Sequence, residues 1–522
     1  MTNSNDPAMN GAESLVHTLL AAGVDTCFSN PGTSEMHFVA ALDHIPGMRS
    51  VLTLQEGVAT GAADGYYRMA GKVACTLLHL GPGLANGLSN LHNAKKAGSG
   101  VLNIIGEHAD THITLDAPLT SDIQGIARPV SHWVHTSTDV ANLGRDAAQA
   151  VQAANTAPGQ VAALILPSDT AWTEGGVLAA PLPAVPRPDF DQSQLEAAIA
   201  ALSGPDSLLL LGGAALTEAN LDLAGRISAA TGCALLSEWA NARMDRGAGR
   251  VSVARVPYPI DIALKVLAPY KRIVLVGARA PIGFFAYPGK PAVLTAEGAQ
   301  IINLADTGAD LTGALTALCD GTGGSDKAPA HVAEAAVPAR PSGPLDPDNI
   351  ALVLGRTIPQ DAVIVDESVT TGRGFFKATE GAPRHVWLNN CGGSIGYGMP
   401  VAIGAAIAAP ERKIMALTGD GSAMYTLQAL WTMARENLDI TVVIFANRSY
   451  RILRGELTNV GVGNPGPRAI DMLSLDRPNL DWVQMSRGMG VEAEAVTDCA
   501  GLEAALEAGL ASSGPYLIEA IF

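Results

Sequence analysis

The sequence predicts an α/β protein made of three doubly wound domains with parallel sheets. Three observations carry that expectation. Short apolar or β-branched runs alternate with helical periodicity along the whole chain. Most of these runs end at turns rich in Gly, Asn, Asp or Pro. Two proline-rich stretches interrupt the alternation: residues 180–191 hold four prolines, and residues 320–349 combine Gly, Pro, Ala and Ser. Such composition builds no core and reads as connection between domains. It divides the chain into segments 1–180, 190–325 and 345–522.

At 522 residues the length suits about three domains, and 48% hydrophobic with 16% charged residues suits a well-buried α/β chain. A net charge of −17 argues against nucleic acid or an anionic membrane as partner. The six cysteines, Cys27, Cys75, Cys233, Cys319, Cys391 and Cys499, show neither a CxxC pair nor metal-ligand spacing. The first ten residues lack a basic, apolar leader, and no apolar run reaches membrane-spanning length. A cytoplasmic location is the expectation.

In the first segment a helix is expected over 11–22, then a strand over 26–29 leading into Asn30-Pro31-Gly32-Thr33. The run 51–55 reaches Glu56, which opens a helix. A carboxylate there, among apolar neighbours, should have a raised pKa, although local sequence alone favours a helix-start Glu stabilised by the macrodipole. A strand over 76–79 ends at His79, Gly81-Pro82-Gly83 follows, and a helix is expected over 87–96. His108 and His112 are spaced like a metal pair but lack a third ligand.

The middle segment offers strands over 208–211 and 273–277. It has no GxGxxG fingerprint, so no dinucleotide is implied. In the last segment the strand 363–365 leads to Asp366-Glu367-Ser368-Val369-Thr370-Thr371, whose N–H and hydroxyl groups suit diphosphate oxygens or a helix cap alike. A glycine-rich loop, NNCGGSIGYG, then enters a small-residue helix. Next, the strand 414–418 ends at Gly419-Asp420-Gly421. A helix from Ser422 should bury Met424, Leu427, Leu430, Trp431 and Ala434, and the strand 440–446 closes at Asn447. This βαβ unit places Asp420 and Asn447 at the carboxyl ends of parallel strands, where open α/β sheets bind ligands. A carboxylate and an amide oxygen are hard donors that fill only part of a shell around Mg²⁺, which typically adds water and phosphate oxygens. Gly419 and Gly421 would let a phosphate approach the backbone, and the N–H groups at Ser422 would point at it. An ordinary βαβ turn has the same letters.

Asp420 and Asn447 lie 27 positions apart. That spacing resembles the GDG…N signature of thiamine-diphosphate enzymes, with Ala446-Asn447 where the family usually shows Asn-Asn. NPG-T-S-E, QEGVATGAADGYYRMAGK and LHLGPGLANGLSN resemble the pyrimidine-binding domain of the decarboxylases in that family. The match spans nearly the whole chain, and its pattern is similar to benzoylformate decarboxylases within the superfamily that includes acetolactate synthases. The resemblance implies pyrimidine-binding, central and diphosphate-binding domains, in that order.

By the same resemblance Glu56 shares a proton with the aminopyrimidine ring of thiamine diphosphate. Asp420, Asn447 and the Ser449 carbonyl hold Mg²⁺, or Ca²⁺ or Mn²⁺ in its place. Val369, Thr370, Gly393, Ile395, Gly419, Gly421, Ser422, Asn447 and Tyr450 complete the cofactor set, with Ile395 wedged under the cofactor and the Gly393 carbonyl accepting from its amino group. FAD is not expected. Thr33 and His79 match the carboxylate-binding hydroxyl and the proton-relaying histidine, though a turn residue and a strand-end polar group read from the same positions. Phe284 stands where the related enzyme has a second catalytic histidine, which removes a proton donor. Leu119, Phe284, Ile452 and Leu453 are expected to line an apolar substrate pocket.

The implied activity is non-oxidative decarboxylation of a small-molecule 2-oxo acid to an aldehyde, a lyase reaction with carboligation to acyloins alongside. The alternative is an acetolactate-synthase-like transferase that condenses 2-oxo acids, with or without FAD. Because the family holds its cofactor between two subunits, at least a homodimer and usually a homotetramer is implied.

Overall fold

Residues 9–522 are described by a computed structural model; residues 1–8, part of the stretch read above as lacking a leader, lie outside the described residues. The first third of the chain supplies β1 (Thr26–Asn30), β2 (Arg49–Leu52), β3 (Ala74–Leu78), β4 (Val101–Glu107), β5 (Trp133–Thr136) and β6 (Val161–Pro167). All pair in parallel in the order β2-β1-β3-β4-β6-β5. Every residue of β3, β4 and β6 is buried, which is why these strands read as continuous apolar runs: helices cover both faces of the sheet.

The middle of the chain supplies β7 (Ser207–Leu211), β8 (Ala234–Ser237), β9 (Met244–Arg246), β10 (Ala254–Arg255), β11 (Arg272–Val276) and β12 (Gln300–Ala305). All but β9 form a second parallel sheet, β10-β8-β7-β11-β12. The period-2 alternation is plain here. Leu209, Leu211, Val274 and Val276 enter the core on one face, while Leu208, Leu210, Ile273 and Leu275 enter the core on the other.

The third sheet is built from β13 (Ala362–Glu367), β14 (His385–Asn389), β15 (Ile414–Gly419), β16 (Ile440–Ala446), β17 (Glu492–Val496) and β18 (Tyr516–Ile521). Its order is β17-β18-β16-β15-β13-β14-β9. The edge strand β9 runs antiparallel to β14, so this sheet is mixed rather than parallel. Sequence pattern could not show it, because Met-Asp-Arg has no strand signature. It is held by chemistry instead: the buried Arg246 guanidinium lies 3.9 Å from the Phe376 ring centroid and donates to Thr379 Oγ1 at 2.9 Å. Burial, with Arg255 nearby, lowers the Arg246 pKa to about 9.

The chain forms two compact units. One takes the chain up to Pro186 with Gly392–Pro410 and Tyr425–Leu438; the other takes Arg187–Cys391, Glu411–Met424 and Asp439–Phe522. In the first unit the helix Gly398–Ala408 lies directly on the helix Glu56–Ala70. A Cβ on Gly65 would sit 2.1 Å from the Val401 carbonyl oxygen, and one on Gly404 would sit 1.8 Å from that of Ala62. Only glycine permits that approach. Beside it, Arg68 and Asp64 form a fully buried pair at 2.7 Å, and Arg68 Nη1 also donates to the Tyr397 hydroxyl at 3.0 Å.

Two helices depart from their sequence expectation. The helix expected over 87–96 spans Leu80–Ala97 and runs straight through Gly81-Pro82-Gly83, since proline in a first turn gives up no intrahelical bond. The helix expected from Ser422 is instead a single turn, Asp420–Ala423, followed by a 3₁₀ turn, Met424–Thr426, and a separate helix, Ala429–Arg435. Of its expected apolar stripe, Leu430 is buried while Met424 is exposed. Among the described residues no helix is long and apolar enough to cross a membrane.

Candidate active site

In the third sheet the chain order reverses between β13 and β15, and ligands of open α/β sheets bind outside the carboxyl ends of strands at such a point. Asp420 follows β15 and Asn447 follows the adjacent β16, with Gly419 paired to Phe445. Asp420 is buried; its Oδ1 accepts from the Gly421 N–H at 2.9 Å and its Oδ2 from the Arg448 N–H at 2.7 Å. Burial raises its pKa, against those two N–H bonds. Asn447 Oδ1 accepts from the backbone N–H and the hydroxyl of Ser449 at 3.0 and 3.1 Å. Gly421 leaves room for Tyr450, whose ring would lie 2.6 Å from a Cβ at 421.

The turn after β13 is built by Asp366, which accepts from the Ser368 N–H at 3.0 Å and from Trp387 Nε1 at 3.1 Å. It delivers Val369 at φ +50, and Arg448, between Asn447 and Ser449, stands at φ +55. A β-branched residue in the left-handed region is a costly conformation that surrounding structure must impose. Thr370, Thr371, Asn447, Ser449 and Ile452 all border one cleft of about 830 Å³. Its other walls are mixed: Lys290, Arg373, Arg451 and Arg454 stand with the carboxylates Asp261 and Glu456 and with the apolar Ile260 and Phe522, and Lys290 is paired with Asp261 at 2.6 Å. Phe284 packs in an aromatic group with Trp239, Tyr258 and Phe285, of which Tyr258 reaches the cleft. Leu453 is exposed, and Leu119 belongs to the other compact unit.

A carboxylate, an amide oxygen and a backbone carbonyl at these strand ends are hard donors that fit Mg²⁺ or Ca²⁺, with water and phosphate completing the shell. Among the described residues no group of three His, Cys, Asp or Glu could hold a metal, so such an ion would depend on this mixed oxygen set.

In the first unit Glu56 is the first residue of the helix Glu56–Ala70, capped by the Gln55 side chain, which accepts from the Val58 N–H at 3.1 Å. Glu56 is buried, and its Oε2 accepts from Asn86 Nδ2 at 3.0 Å. A Cβ on Gly83 would stand 3.3 Å from Glu56 Oε1 and 3.4 Å from His79 Cβ, so glycine keeps this corner open. His79 is followed by Leu80 at φ +51, another strained residue beside a candidate group. His79 Nδ1 bonds Glu35 Oε2 at 2.9 Å, and the same oxygen accepts from the Gly32 N–H at 2.7 Å. Thr33, next to Gly32, is exposed at the start of the 3₁₀ turn Thr33–Glu35.

The loop carrying Gly393 and Ile395 is clamped by the helix Leu80–Ala97. Asn90 Nδ2 donates to the carbonyls of Gly57 and Gly396 at 2.8 and 3.1 Å, and Asn93 Nδ2 donates to the Ser394 carbonyl at 2.9 Å. Gly393 stands at φ +78 and Gly396 at φ +90, conformations glycine adopts without strain. Sequence reasoning missed Glu35, Asn86, Asn90 and Asn93. For the asparagines a signal existed: positions 86, 90 and 93 recur at helical spacing and so share a face.

Comparison with known proteins identifies the family. Residues 9–128 match the family described as thiamine pyrophosphate enzyme, N-terminal TPP binding domain, and residues 370–520 match its C-terminal TPP binding domain. The chain is 48% identical to a Mycobacterium tuberculosis protein named "Putative acetolactate synthase large subunit IlvX", over 98% of this chain and 99% of that one. It is 28% identical to benzoylformate decarboxylase of Pseudomonas aeruginosa, over 95% and 96% of the two chains. Among solved structures, the thiamine diphosphate-dependent 4-hydroxybenzoylformate decarboxylase of Rhodococcus jostii RHA1 has the same fold, with a TM-score of 0.85 at 24% identity, covering 98% of this chain and 99% of that one.

Proposed function

The chain belongs to the thiamine-diphosphate-dependent family of decarboxylases and acetolactate synthases, and from that premise we propose that it decarboxylates a 2-oxo acid, without oxidation, to an aldehyde. Asp420, Asn447 and the Ser449 carbonyl would hold Mg²⁺. Thr370, Gly421 and Tyr450 would bound the diphosphate, and Gly393 and Ile395 the rings. When bound, the cofactor supplies the electron sink that lets the carboxylate leave as CO₂. The protein's part is orientation and proton handling. Glu56, held by Asn86, keeps a carboxyl group where a pyrimidine nitrogen can share its proton. Thr33 offers a hydroxyl to the substrate carboxylate, and His79 holds a proton for the product carbon.

The observation that favours the lyase over the transferase is the third of these: His79 is a fixed, partly exposed imidazole close to Glu56, and aldehyde release requires a proton donor. The phenylalanine at 284, where a second donor would stand, favours slower protonation and hence acyloin formation as a side activity. Assembly at least as a homodimer, and division of labour among domains 1–180, 190–325 and 345–522, belong to the same proposal.

The test is a panel of 2-oxo acids supplied to the protein with thiamine diphosphate and Mg²⁺, with CO₂, aldehyde and acyloin measured separately. Aldehyde formation stoichiometric with CO₂ supports the lyase. CO₂ with only condensed product would replace it by the transferase.

A further inference from the structure

We propose that Glu35 is a positioning residue for His79: its buried carboxylate holds the Nδ1 edge of the imidazole, so that the substrate-side proton is gained and lost at Nε2. This rests on the role given to His79 above. The plainer account is that Glu35 merely caps the 3₁₀ turn, since its Oε2 accepts from the Gly32 N–H at 2.7 Å. Capping carboxylates, however, normally lie in water, and Glu35 is 1% exposed. Desolvation of an anion is costly unless a cation or strong donors face it, and the second partner of Oε2 is His79 Nδ1 at 2.9 Å.

The neighbouring backbone is cut to fit both side chains. A Cβ on Gly106 would lie 1.6 Å from Glu35 Oε1, and one on Gly32 would lie 2.3 Å from the His79 ring. Oε1 is buried and bonds no protein group. Together these features describe a carboxylate seated for the imidazole rather than for the turn.

The proton balance is simple. One proton lies between Oε2 and Nδ1 throughout. A second is bound at Nε2 when His79 is an imidazolium and leaves from Nε2 when it donates. An anion at Oε2 stabilises the imidazolium and fixes the tautomer of the neutral ring. The titratable groups nearby are each engaged elsewhere or face away. Glu56 accepts from Asn86, Glu107 from the His108 N–H, and Asp169 from the Asp110 N–H; His37 packs on Trp172, and the His108 ring lies 5.3 Å from that of His112.

The test uses the full chain without cofactor and again with it. Histidine is acylated by diethyl pyrocarbonate only when neutral, so the pH midpoint of His79 acylation, read by peptide mass spectrometry, reports its charge. Glu35→Gln should lower that midpoint by about one pH unit. With cofactor, Glu35→Gln should lower kcat by about 10- to 100-fold with KM within about threefold. It should add nothing further in a His79→Ala background, because the effect runs through the ring. An unchanged midpoint, or a full additional loss in the His79→Ala background, would overturn the proposal. If the wild-type protein turned over no 2-oxo acid, the decarboxylase assignment would fail, while the acylation midpoint would still decide the role of Glu35. A thermal midpoint for Glu35→Gln near that of the wild type shows that the fold is intact.

Discussion

The two candidate half-sites are built by opposite means. Around Asp420 and Asn447 the backbone does the positioning: parallel strand ends place the two side chains, each of their oxygens accepts from a backbone N–H, and Val369 and Arg448 are forced to positive φ. Around Glu56 and His79 side chains do it. One helix, Leu80–Ala97, sends Asn86 to Glu56 and Asn90 and Asn93 to the glycine loop, while Glu35 holds His79. The difference matches the work proposed for each. A metal–diphosphate site needs fixed hard oxygens and no proton traffic, whereas a proton-handling site needs groups whose charge can change while their geometry does not.

The largest effect should come from breaking the backbone-built half. Asp420→Ala removes the only carboxylate proposed to face the metal. Thiamine diphosphate with Mg²⁺, at a hundredfold excess over Kd, should stabilise the wild-type protein by about 2.7 kcal/mol, and Asp420→Ala should lose that gain together with all activity. Differential scanning fluorimetry measures it, and a full stabilisation retained by the variant would refute the metal assignment. Glu56→Gln should separate the halves. Its cofactor-induced stabilisation should persist while kcat falls by about 10²- to 10⁴-fold. Loss of both together would mean that Glu56 holds the cofactor rather than its proton.

Next in size is Gly106→Ala. The new methyl would stand 1.6 Å from Glu35 Oε1, and β4 is buried along its whole length, so the carboxylate must leave its seat. We expect a loss of about 1–3 kcal/mol by chemical denaturation. If instead the variant were as stable as the wild type, the side-chain-built half would be softer than its burial suggests.

What the sequence made legible follows the same division. Asp420 and Asn447 sit in one βαβ unit, so strand pattern and spacing alone brought them together. Glu35 and His79 are 44 residues apart on different elements, and Asn93 meets Ser394 across 301 residues. No local period encodes such pairs. The edge strand β9 was missed for a related reason: its partner is remote and two of its three residues are charged, so cation–π contact rather than alternation marks it. The broken helix after Asp420 was misread because Met424, Leu427 and Leu430 keep a helical period that the chain does not use. Thr426 donates its hydroxyl to the Gly396 carbonyl at 3.1 Å, so the 3₁₀ turn is anchored to the glycine loop.

The smallest expected effect is the most discriminating for the backbone-built half. Val369 is 42% exposed at φ +50, so neither core packing nor a buried side chain explains why a β-branched residue is kept there. Replacing it with glycine removes a left-handed penalty of about 1–2 kcal/mol and adds about 0.5–1 kcal/mol of backbone entropy to the unfolded chain. The balance is a net gain of about 0.5–1 kcal/mol in stability. If the strain fixes the turn 368–371 in its binding shape, the freer glycine turn must be ordered when the diphosphate arrives. Calorimetric titration with thiamine diphosphate and Mg²⁺ should then show a Kd raised by about two- to fivefold, with a less favourable entropy. A variant both more stable and equally tight would mean that the strained valine serves no ligand. A variant less stable than the wild type would mean that φ at 369 is set by contacts of the valine side chain, and the contrast between the two half-sites would narrow.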